Sequence, residues 1–400
     1  MSNKFLKKKF FHTKYRLINK EDHTIMKKKE ILEIKKQFTP ENCCITRIAT
    51  CYVSREKEIV LSKVQAFLSL AEEEAFKYFD MFRKSLSGKK GKNLYDIQFK
   101  TEENNLSENF MDTLRKTKLK DLEVLEEFYD KVINSYNTCE NYLITIIHGV
   151  YDIPGKTADG VEMFDASDSV YEHILCCICP VILSKPGLSV NLKKTAVEDR
   201  VRDWVVDHPS DGFLYPSFND RSEDIHELLY YTKKKIIEQT GLIMELTGRE
   251  ENILSNDEEK EIIRDILIET TTMDLSAMRD LTLNMDEIIE ESEEEELMIS
   301  GKQLGKMLEK QGVSEEECEN FLAAYQTKLG NKGVHLSSLF DRRKMDIKTQ
   351  EASVKVEMDR VFDIETRTVD GRVYLMIPLN NNVVEVNGVP VKGYDKKIDG

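Results

Sequence analysis

The sequence predicts an α+β fold in which a central, mainly antiparallel sheet is flanked by helices and followed by a small C-terminal β-hairpin sheet. Between residues 141 and 231, apolar and β-branched runs alternate with Pro, Gly, Asp and Ser, as in a strand meander. The segments on either side carry apolar residues at helical spacing. Near the C-terminus, Asp370-Gly371 and Asn387-Gly388 are typical of type I′ hairpin turns, in which both central residues need a positive φ.

Composition restricts the class of protein. The chain has 400 residues, 33% of them charged, and a net charge of -15. This acidity disfavours non-specific attraction to nucleic-acid phosphates or to anionic lipid. No apolar run approaches the ~20 residues that a membrane span needs, and no apolar segment follows the basic N-terminus as in a secretory signal. We therefore expect a cytoplasmic protein without a membrane partner.

Four segments are expected along the chain. Residues 1–25 form a basic N-terminal extension that we expect to be disordered, and Met26 is an alternative start of the native chain. Residues 26–232 are predicted to form an α+β core domain that contains the meander. Residues 233–350 are a mainly helical acidic segment, and residues 351–394 are a C-terminal β-hairpin segment.

The core domain begins with alternating helices and strands. Residues 27–38 are predicted to be helical, and residues 43–53 to form a strand. Ser69 and Glu72 match a capping box, so the next helix is expected to begin there and to end at Gly88. A further strand and one long helix follow, over 95–99 and 107–136.

The meander itself supplies the centre of the predicted sheet. Its predicted strands are 142–151, 171–183, 200–207 and 212–218, with 225–231 as either a strand or the start of a helix. Long polar loops are expected at 152–169 and 184–198. In the acidic segment, capping boxes begin helices at Ser255 and Ser314, and the charge run 286–296 is expected to be a solvated helix face or a linker.

The cysteines and histidines of the meander allow two interpretations. Cys176 and Cys179 have the C-x-x-C spacing, but residues three apart on a strand point to opposite faces. His173, Cys177 and Cys179 share a face, so a metal site with His148 as the fourth ligand is the alternative. Free cysteine is commonly buried as a small apolar residue, so we expect reduced thiols that fill the core, with no metal and no cofactor.

Polar residues near tight turns supply the candidate catalytic groups. A metal-dependent hydrolase would use carboxylates and imidazoles of this kind, and the candidates are Asp207, His208, Asp220, Asp224 and His226. The simpler interpretation is that Asp and Asn cap turns while Arg200 and Arg202 pair with carboxylates. We favour it because no known ligand spacing is matched. Trp204 is expected to lie in the core rather than to serve as a stacking platform.

Two glycine-containing loops resemble fragments of phosphate-binding loops. Residues 87–93 read SGKKGKN, and residues 154–160 contain Gly155-Lys156-Thr157. Neither has the full G-x-x-x-x-G-K-[ST] spacing between a strand and a helix. Both are therefore expected to be ordinary solvated turns.

Four blocks of the chain resemble an uncharacterised bacterial domain-of-unknown-function family, found mainly in Gram-positive anaerobes. They read KKEILEIKKQFTPENCCITRI, FLSLAEEEAFKYFDMFRKSLSGKKGKNL, YDIPGKTADGVEMFDASDSVYEHILCCICPV and RVRDWVVDHPSDGFLYPSFNDRSEDIHELLYYTK. The resemblance spans about residues 26–390 and favours Met26 as the start, but it implies no activity. A weaker likeness, in element order alone, is to bacterial nucleoid-associated proteins.

These observations favour a non-enzymatic binding or interaction protein over an enzyme. The partner is left open as a protein or a nucleic acid, with nucleoid association as one form, and an oligomer is equally open. The alternative is a metal-dependent hydrolase or nuclease that uses the Asp/His cluster at 203–226.

Overall fold

A computed structural model describes residues 25–101, 105–156, 162–250, 253–291, 297–336, 339–340, 344–378, 383–387 and 389–392. The extension predicted for residues 1–25 lies outside this part of the chain, apart from its last residue. Contacts between residues divide the chain into two units, Met1–Ile253 and Leu254–Gly400. The domain boundaries proposed from the sequence, at 232 and 350, stay predictions.

The first unit alternates helices with strands. Its helices are α1 (Lys28–Lys35), α2 (Glu72–Ser85), α3 (Leu106–Lys116), α4 (Leu122–Ser135) and α5 (Thr240–Thr247). Its strands are β1 (Ile45–Val53), β2 (Ile59–Ala66), β3 (Leu94–Gln98), β4 (Asn141–Lys156), β5 (Glu162–Leu183), β6 (Leu188–Asn191), β7 (Ala196–Asp199), β8 (Trp204–Val206), β9 (Asp211–Tyr215), β10 (Ser217–Asn219), β11 (Ser222–Asp224) and β12 (Glu227–Thr232).

One antiparallel sheet organises this unit, in the order β2-β1-β4-β5-β9-β12-β3, with β8 pairing with the end of β5. Helices cover both faces. Ile146 and Cys176 face the core formed with α3, α4 and α5, whereas Leu175 and Cys177 face the core formed with α1 and α2. Because both faces are buried, β4 and β5 are almost continuously apolar at their centre. The predicted α+β architecture is confirmed.

Several predicted elements differ from the observed ones. The helix expected over 107–136 is two helices, because the chain reverses between α3 and α4, where Lys118 and Leu119 have positive φ angles of 57° and 54°. Ser69 does not cap α2. Its hydroxyl donates to the Ala66 carbonyl at 2.6 Å, and Ala71 is the N-cap residue.

The two loops expected within the meander also contain strands. Paired strands extend into the first, because β4 continues to Lys156 and β5 begins at Glu162. The second contains the β6–β7 hairpin. The ambiguous segment 225–231 forms β12, which pairs with β9 and β3.

The second unit begins with helices α6 (Asn256–Thr270), α7 (Leu275–Glu291), α8 (Gly301–Lys310) and α9 (Glu315–Leu329). Both predicted capping boxes are confirmed: the Ser255 hydroxyl accepts from the Glu258 amide at 3.2 Å, and the Ser314 hydroxyl accepts from the Glu317 amide at 3.3 Å. Of the charge run 286–296, the first part lies on α7, and residues 292–296 lie outside the described chain.

Short antiparallel pairs complete the second unit. They are β13 (Met298–Ile299) with β14 (Val334–His335), β15 (Lys344–Lys348) with β16 (Ser353–Glu357), β17 (Glu365–Val369) with β18 (Arg372–Met376), and β19 (Val383–Val386) with β20 (Val389–Lys392). Asp370 and Gly371 have φ angles of 50° and 73°, as the predicted type I′ turn requires. The single C-terminal sheet expected from the sequence is instead a series of hairpins.

Within the described chain, no helix is both long enough and apolar enough to cross a membrane.

Candidate functional site

The segment 184–206, here called the arm, extends from the end of β5. Strands β6 and β7 pair with each other as a separate two-stranded sheet, and β8 returns the chain to β5. At its base, the Arg202 guanidinium donates to the Ser184 carbonyl at 2.6 Å, and the Ser184 amide donates to the Asp203 carbonyl at 2.8 Å. These bonds join the two ends of the arm to each other, and the pairing of β8 with β5 attaches the arm to the sheet.

The two faces of the β6–β7 hairpin differ in chemistry. Asn191 and Lys194 both donate to the Glu198 carboxylate, at 2.7 and 3.1 Å, so polar groups satisfy one another on one face. Val190 is paired directly with Val197, and paired residues share a face. Leu188 lies on the same face opposite Asp199, so this face is aliphatic apart from one carboxylate. It is open to solvent, with Val190 70% exposed.

Trp204, the only tryptophan, is 57% exposed, so the expectation that it lies in the core was wrong. The reason is tertiary: β8 pairs with the extreme end of β5, at Val181–Leu183, and its outer side chains remain uncovered. The large apolar residues exposed along the arm are Leu188, Val190, Leu192, Val197, Val201, Trp204 and Val205. Such exposure is characteristic of interaction surfaces rather than of scattered surface residues.

The arm is basic, although the chain is acidic. It contains the five basic residues Lys185, Lys193, Lys194, Arg200 and Arg202 and the three acidic residues Glu198, Asp199 and Asp203. Its formal charge is therefore +2, against -15 for the whole chain. The arm therefore combines exposed apolar residues with a small excess of positive charge.

The five candidate catalytic residues fall into two groups at opposite ends of β9. Asp207 and His208 lie near its first residue, since the Asp207 amide donates to the Pro180 carbonyl beside Asp211. The other three candidates follow Tyr215, its last residue. A strand rises about 3.3 Å per residue, so the two groups are separated by at least ~13 Å along the strand.

The group after β9 forms turns and surface ion pairs. Asp220 lies in the β10–β11 turn with a positive φ of 46°, and its carboxylate contacts the Lys27 ammonium at 2.7 Å. Asp224 accepts from the Asn219 amide group at 2.9 Å and from the His226 backbone amide at 3.1 Å. The exposed His226 imidazole contacts Glu108 at 2.9 Å.

At the other end, Asp207 contacts the Lys233 ammonium at 3.6 Å, and His208 is exposed. A hydrogen bond from the His208 backbone amide lowers the pKa of Asp207. The positions of both groups agree with turn capping and surface pairing. They do not assemble the single cluster that a metal-dependent hydrolase requires.

The structure separates the four residues of the metal alternative. His148 is paired with Ile174 and lies on the Cys176 face, where its ring nitrogens contact Thr46 at 2.6 Å and Glu172 at 2.7 Å. His173 lies on the other face of the sheet, where Cys177 and Cys179 pack. No group of three or more His, Cys, Asp or Glu side chains within the described chain has metal-binding geometry.

His173 and its neighbouring thiols are part of the core. The imidazole stacks on Tyr171 with ring centroids 4.8 Å apart, and burial lowers its pKa to about 3. Burial raises the pKa of Cys177 to about 12. A neutral imidazole and protonated thiols are what an apolar interior favours.

The first glycine-containing loop is held by its own lysine. Lys90 forms a buried ion pair with Asp96, and its ammonium donates to the Met26 carbonyl at 2.5 Å. Because the Lys90 ammonium is already bound by these two groups, it is not available to bind a phosphate. Of the second loop, residues 154–156 continue β4, and residues 157–161 lie outside the described chain.

A buried carboxylate cluster was missed by sequence reasoning. Glu227 begins β12, is 2% exposed, and accepts from the Asn219 side-chain amide at 3.2 Å. Burial, reinforced by the nearby Asp96 carboxylate, raises the pKa of Glu227 to about 8. The sequence does contain a signal, an acidic residue at the start of the otherwise apolar segment ELLYYT. Glu227 lies on the same buried face of β12 as Leu229 and Tyr231.

The chain matches a known protein family over most of its length. A family model described as a domain of unknown function (DUF4317) matches residues 26–389. No curated protein and no solved structure matches the chain.

Proposed function

The chain belongs to the DUF4317 domain-of-unknown-function family, and on the basis of its structure we propose that it is a non-catalytic interaction protein whose arm docks onto a second copy of the same chain. The observation that carries this proposal is the aliphatic face of the β6–β7 hairpin, which nothing in the described chain covers. A hairpin whose polar face is satisfied internally and whose apolar face is open gains stability when that face is buried.

A second copy fits the chemistry of the arm. Two identical hairpins can pack face to face about a twofold axis, so that Leu188, Val190 and Val197 of each copy meet their equivalents. A second copy therefore matches the arm through its apolar face. The excess positive charge of the arm, which a twofold axis places near its own equivalent, does not contribute to this match.

Sedimentation equilibrium of the full chain tests this proposal. The wild-type chain is expected to pass from monomer to dimer between nanomolar and high micromolar concentrations. Val190→Lys places a charge in the centre of the aliphatic face, so this variant should remain monomeric. Val373→Lys, at a site 73% exposed on β18, is the matched control and should dimerise like the wild type.

Two outcomes would reject self-association. One is a wild-type chain that remains monomeric over the whole range, and the other is a Val190→Lys variant that dimerises with unchanged affinity. Far-ultraviolet circular dichroism and the melting temperature of each variant exclude misfolding as the cause of a loss.

Nucleic-acid association is a second candidate, and the observation that favours it is the combination of five basic residues with an exposed Trp204 on one arm. Basic side chains contact phosphates, and an indole can stack on a base. Retention of the purified chain on single-stranded DNA or RNA should then fall with salt and with Trp204→Ala. Retention that is absent, or independent of salt, would reject this candidate.

A cytoplasmic location is part of the proposal. All eight cysteines carry free thiols, and Cys176, Cys177 and Cys179 are buried within one strand. Thiols persist in a reducing compartment. Fractionation of cells that express the chain from its native gene checks this location.

A further inference from the structure

A cleft opens at the edge of the central sheet, where β4 and β9 begin and β5 and β12 end. Its volume is about 440 Å³, which lies within the range of small-molecule sites. The segments that follow α4 and β12 form its walls. It lies in the first unit and does not include the arm.

Asp211 lies in this cleft and is almost completely buried, with 6% of its surface exposed. One carboxylate oxygen accepts from the Tyr136 hydroxyl and the other from the Tyr230 hydroxyl, each at 2.9 Å. Thr232 also donates to it. Both oxygens are therefore oriented by neutral donors, which fix the position of the carboxylate without neutralising a charge.

No basic side chain within the described chain forms an ion pair with Asp211. The nearest cation in the cleft is Lys234, and its ammonium is bound by Glu238 four residues further on. Glu140, exposed at the rim, adds another negative charge. The cleft thus contains three carboxylates and one ammonium that is already paired.

We propose that this cleft binds a small organic cation with a primary ammonium group, with Asp211 as its buried counter-ion. An ammonium donates up to three hydrogen bonds and supplies the positive charge that the fold itself does not place beside Asp211. The rim carboxylates Glu140 and Glu238 attract the cation from solvent.

The aromatic walls fit the same class of ligand. The rings of Tyr136 and Tyr142 lie 5.3 Å apart at an angle of 57°, and both line the cleft. Tyrosine faces attract organic ammonium groups and pack against their methylene segments. An anion would meet three carboxylates, and a neutral polyol would leave the charge of Asp211 uncompensated.

The alternative role for Asp211 is purely structural, as a protonated anchor for two tyrosines. Burial raises its pKa, which outweighs the opposing hydrogen bonds from Tyr230 and Tyr136. The two roles differ in one observable: a counter-ion must be ionised when the cation is bound, whereas an anchor can stay protonated. Cation binding should therefore weaken as pH falls through the raised pKa of Asp211.

Isothermal titration calorimetry of the full chain with putrescine, ethanolamine and spermidine tests the proposal. Butane-1,4-diol, which replaces each ammonium of putrescine by a hydroxyl, is the neutral probe. At least one of the amines should bind, the diol should not, and the affinity for the amine should fall as the pH of the titration is lowered. Asp211→Asn keeps the shape of the side chain but removes its charge, and one tyrosine hydroxyl must then accept from the new amide instead of donating. This variant should weaken amine binding by at least about tenfold.

Asp80→Asn on the exposed side of α2 is the matched control and should bind like the wild type. Circular dichroism and the melting temperature of Asp211→Asn check that the variant folds, since one of its two contacts with the tyrosines must reverse direction. Three results would overturn the proposal: none of the amines binds, the diol binds as well as putrescine, or Asp211→Asn binds the amine with unchanged affinity. Each is independent of self-association, because the cleft and the arm do not share residues.

Discussion

The β4–β5 pair and the arm both carry aliphatic residues on paired antiparallel strands but have opposite surroundings. The apolar run is continuous at the centre of β4 and β5, whereas aliphatic residues alternate with polar ones in the β6–β7 hairpin. Helices cover both faces of the central pair, so Ile146 and Leu175 are fully buried. The paired residues Val190 and Val197 of the arm remain open to solvent. A continuous apolar run thus accompanies a strand pair that is covered on both faces, whereas the alternating hairpin carries aliphatic residues that no element of the described chain covers.

Truncation of one side chain in each region gives the largest expected contrast. Ile146→Ala removes buried methyl groups and leaves a cavity, so it should reduce the free energy of unfolding by about 2–5 kcal/mol. Val190→Ala removes exposed methyl groups and should change it by less than about 0.5 kcal/mol when the chain is dilute. Urea denaturation followed by circular dichroism measures both values.

Equal losses of unfolding free energy in Ile146→Ala and Val190→Ala would contradict this difference between the two regions, because they would show that Val190 is buried. The denaturation should be repeated at high protein concentration. There, Val190→Ala should become more destabilising than in dilute solution, because association then contributes to the stability of the folded state.

The buried Glu227 should make the stability of the sheet depend on pH. Because burial raises its folded-state pKa from 4.5 to about 8, the folded state binds the proton more tightly than the unfolded state. This contribution is fully present below pH 4.5 and is lost progressively as pH rises to about 8. Glu227→Gln should therefore flatten the stability curve in this window.

Melting temperatures measured across that window check the expectation, with Glu73→Gln on the exposed side of α2 as the control for the substitution itself. A Glu227→Gln variant whose melting temperature falls with pH as steeply as that of the wild type would contradict the assignment of Glu227 as a buried acid.

Thiol labelling gives the smallest but most local contrast. Cys139 is exposed, whereas Cys176, Cys177 and Cys179 are buried on the two faces of β5. A maleimide should label Cys139 rapidly in the native chain, and the β5 thiols only in denaturant, because the thiolate is the reactive form and burial suppresses it. Rapid native labelling that persists in Cys139→Ser and maps to Cys177 would contradict the core position of β5.

The sequence carried most of the information for the sheet, because its signals are local. Alternating apolar runs predicted the central strands, Asp370-Gly371 predicted a hairpin, and Ser255 and Ser314 predicted helix starts. It did not predict the break between α3 and α4. Lys118 and Leu119 adopt positive φ angles there, and no glycine marks these positions in the sequence. It also misplaced a cap at Ser69, whose hydroxyl bonds backwards to Ala66.

The candidate sites depend on tertiary placement, which the sequence does not encode locally. Asp211 and Glu227 are acidic residues at strand ends, as are many surface carboxylates, and only the covering helices and loops bury them. Trp204 looked like a core residue because its strand is apolar, yet β8 lies at the end of β5 where no element covers it. The five candidate catalytic Asp and His residues, chosen because they lie near predicted turns, fall at opposite ends of β9.

Fluorescence of Trp204 tests self-association directly, because Trp204 is the only indole in the chain and lies on the arm that we propose to dock. In dilute solution the emission should be that of a solvent-exposed indole, and acrylamide should quench it. As the concentration rises, the emission should shift to shorter wavelength and quenching should decline, with no such change in Val190→Lys. Emission and quenching that stay constant at all concentrations, or an indole already shielded in dilute solution, would contradict it.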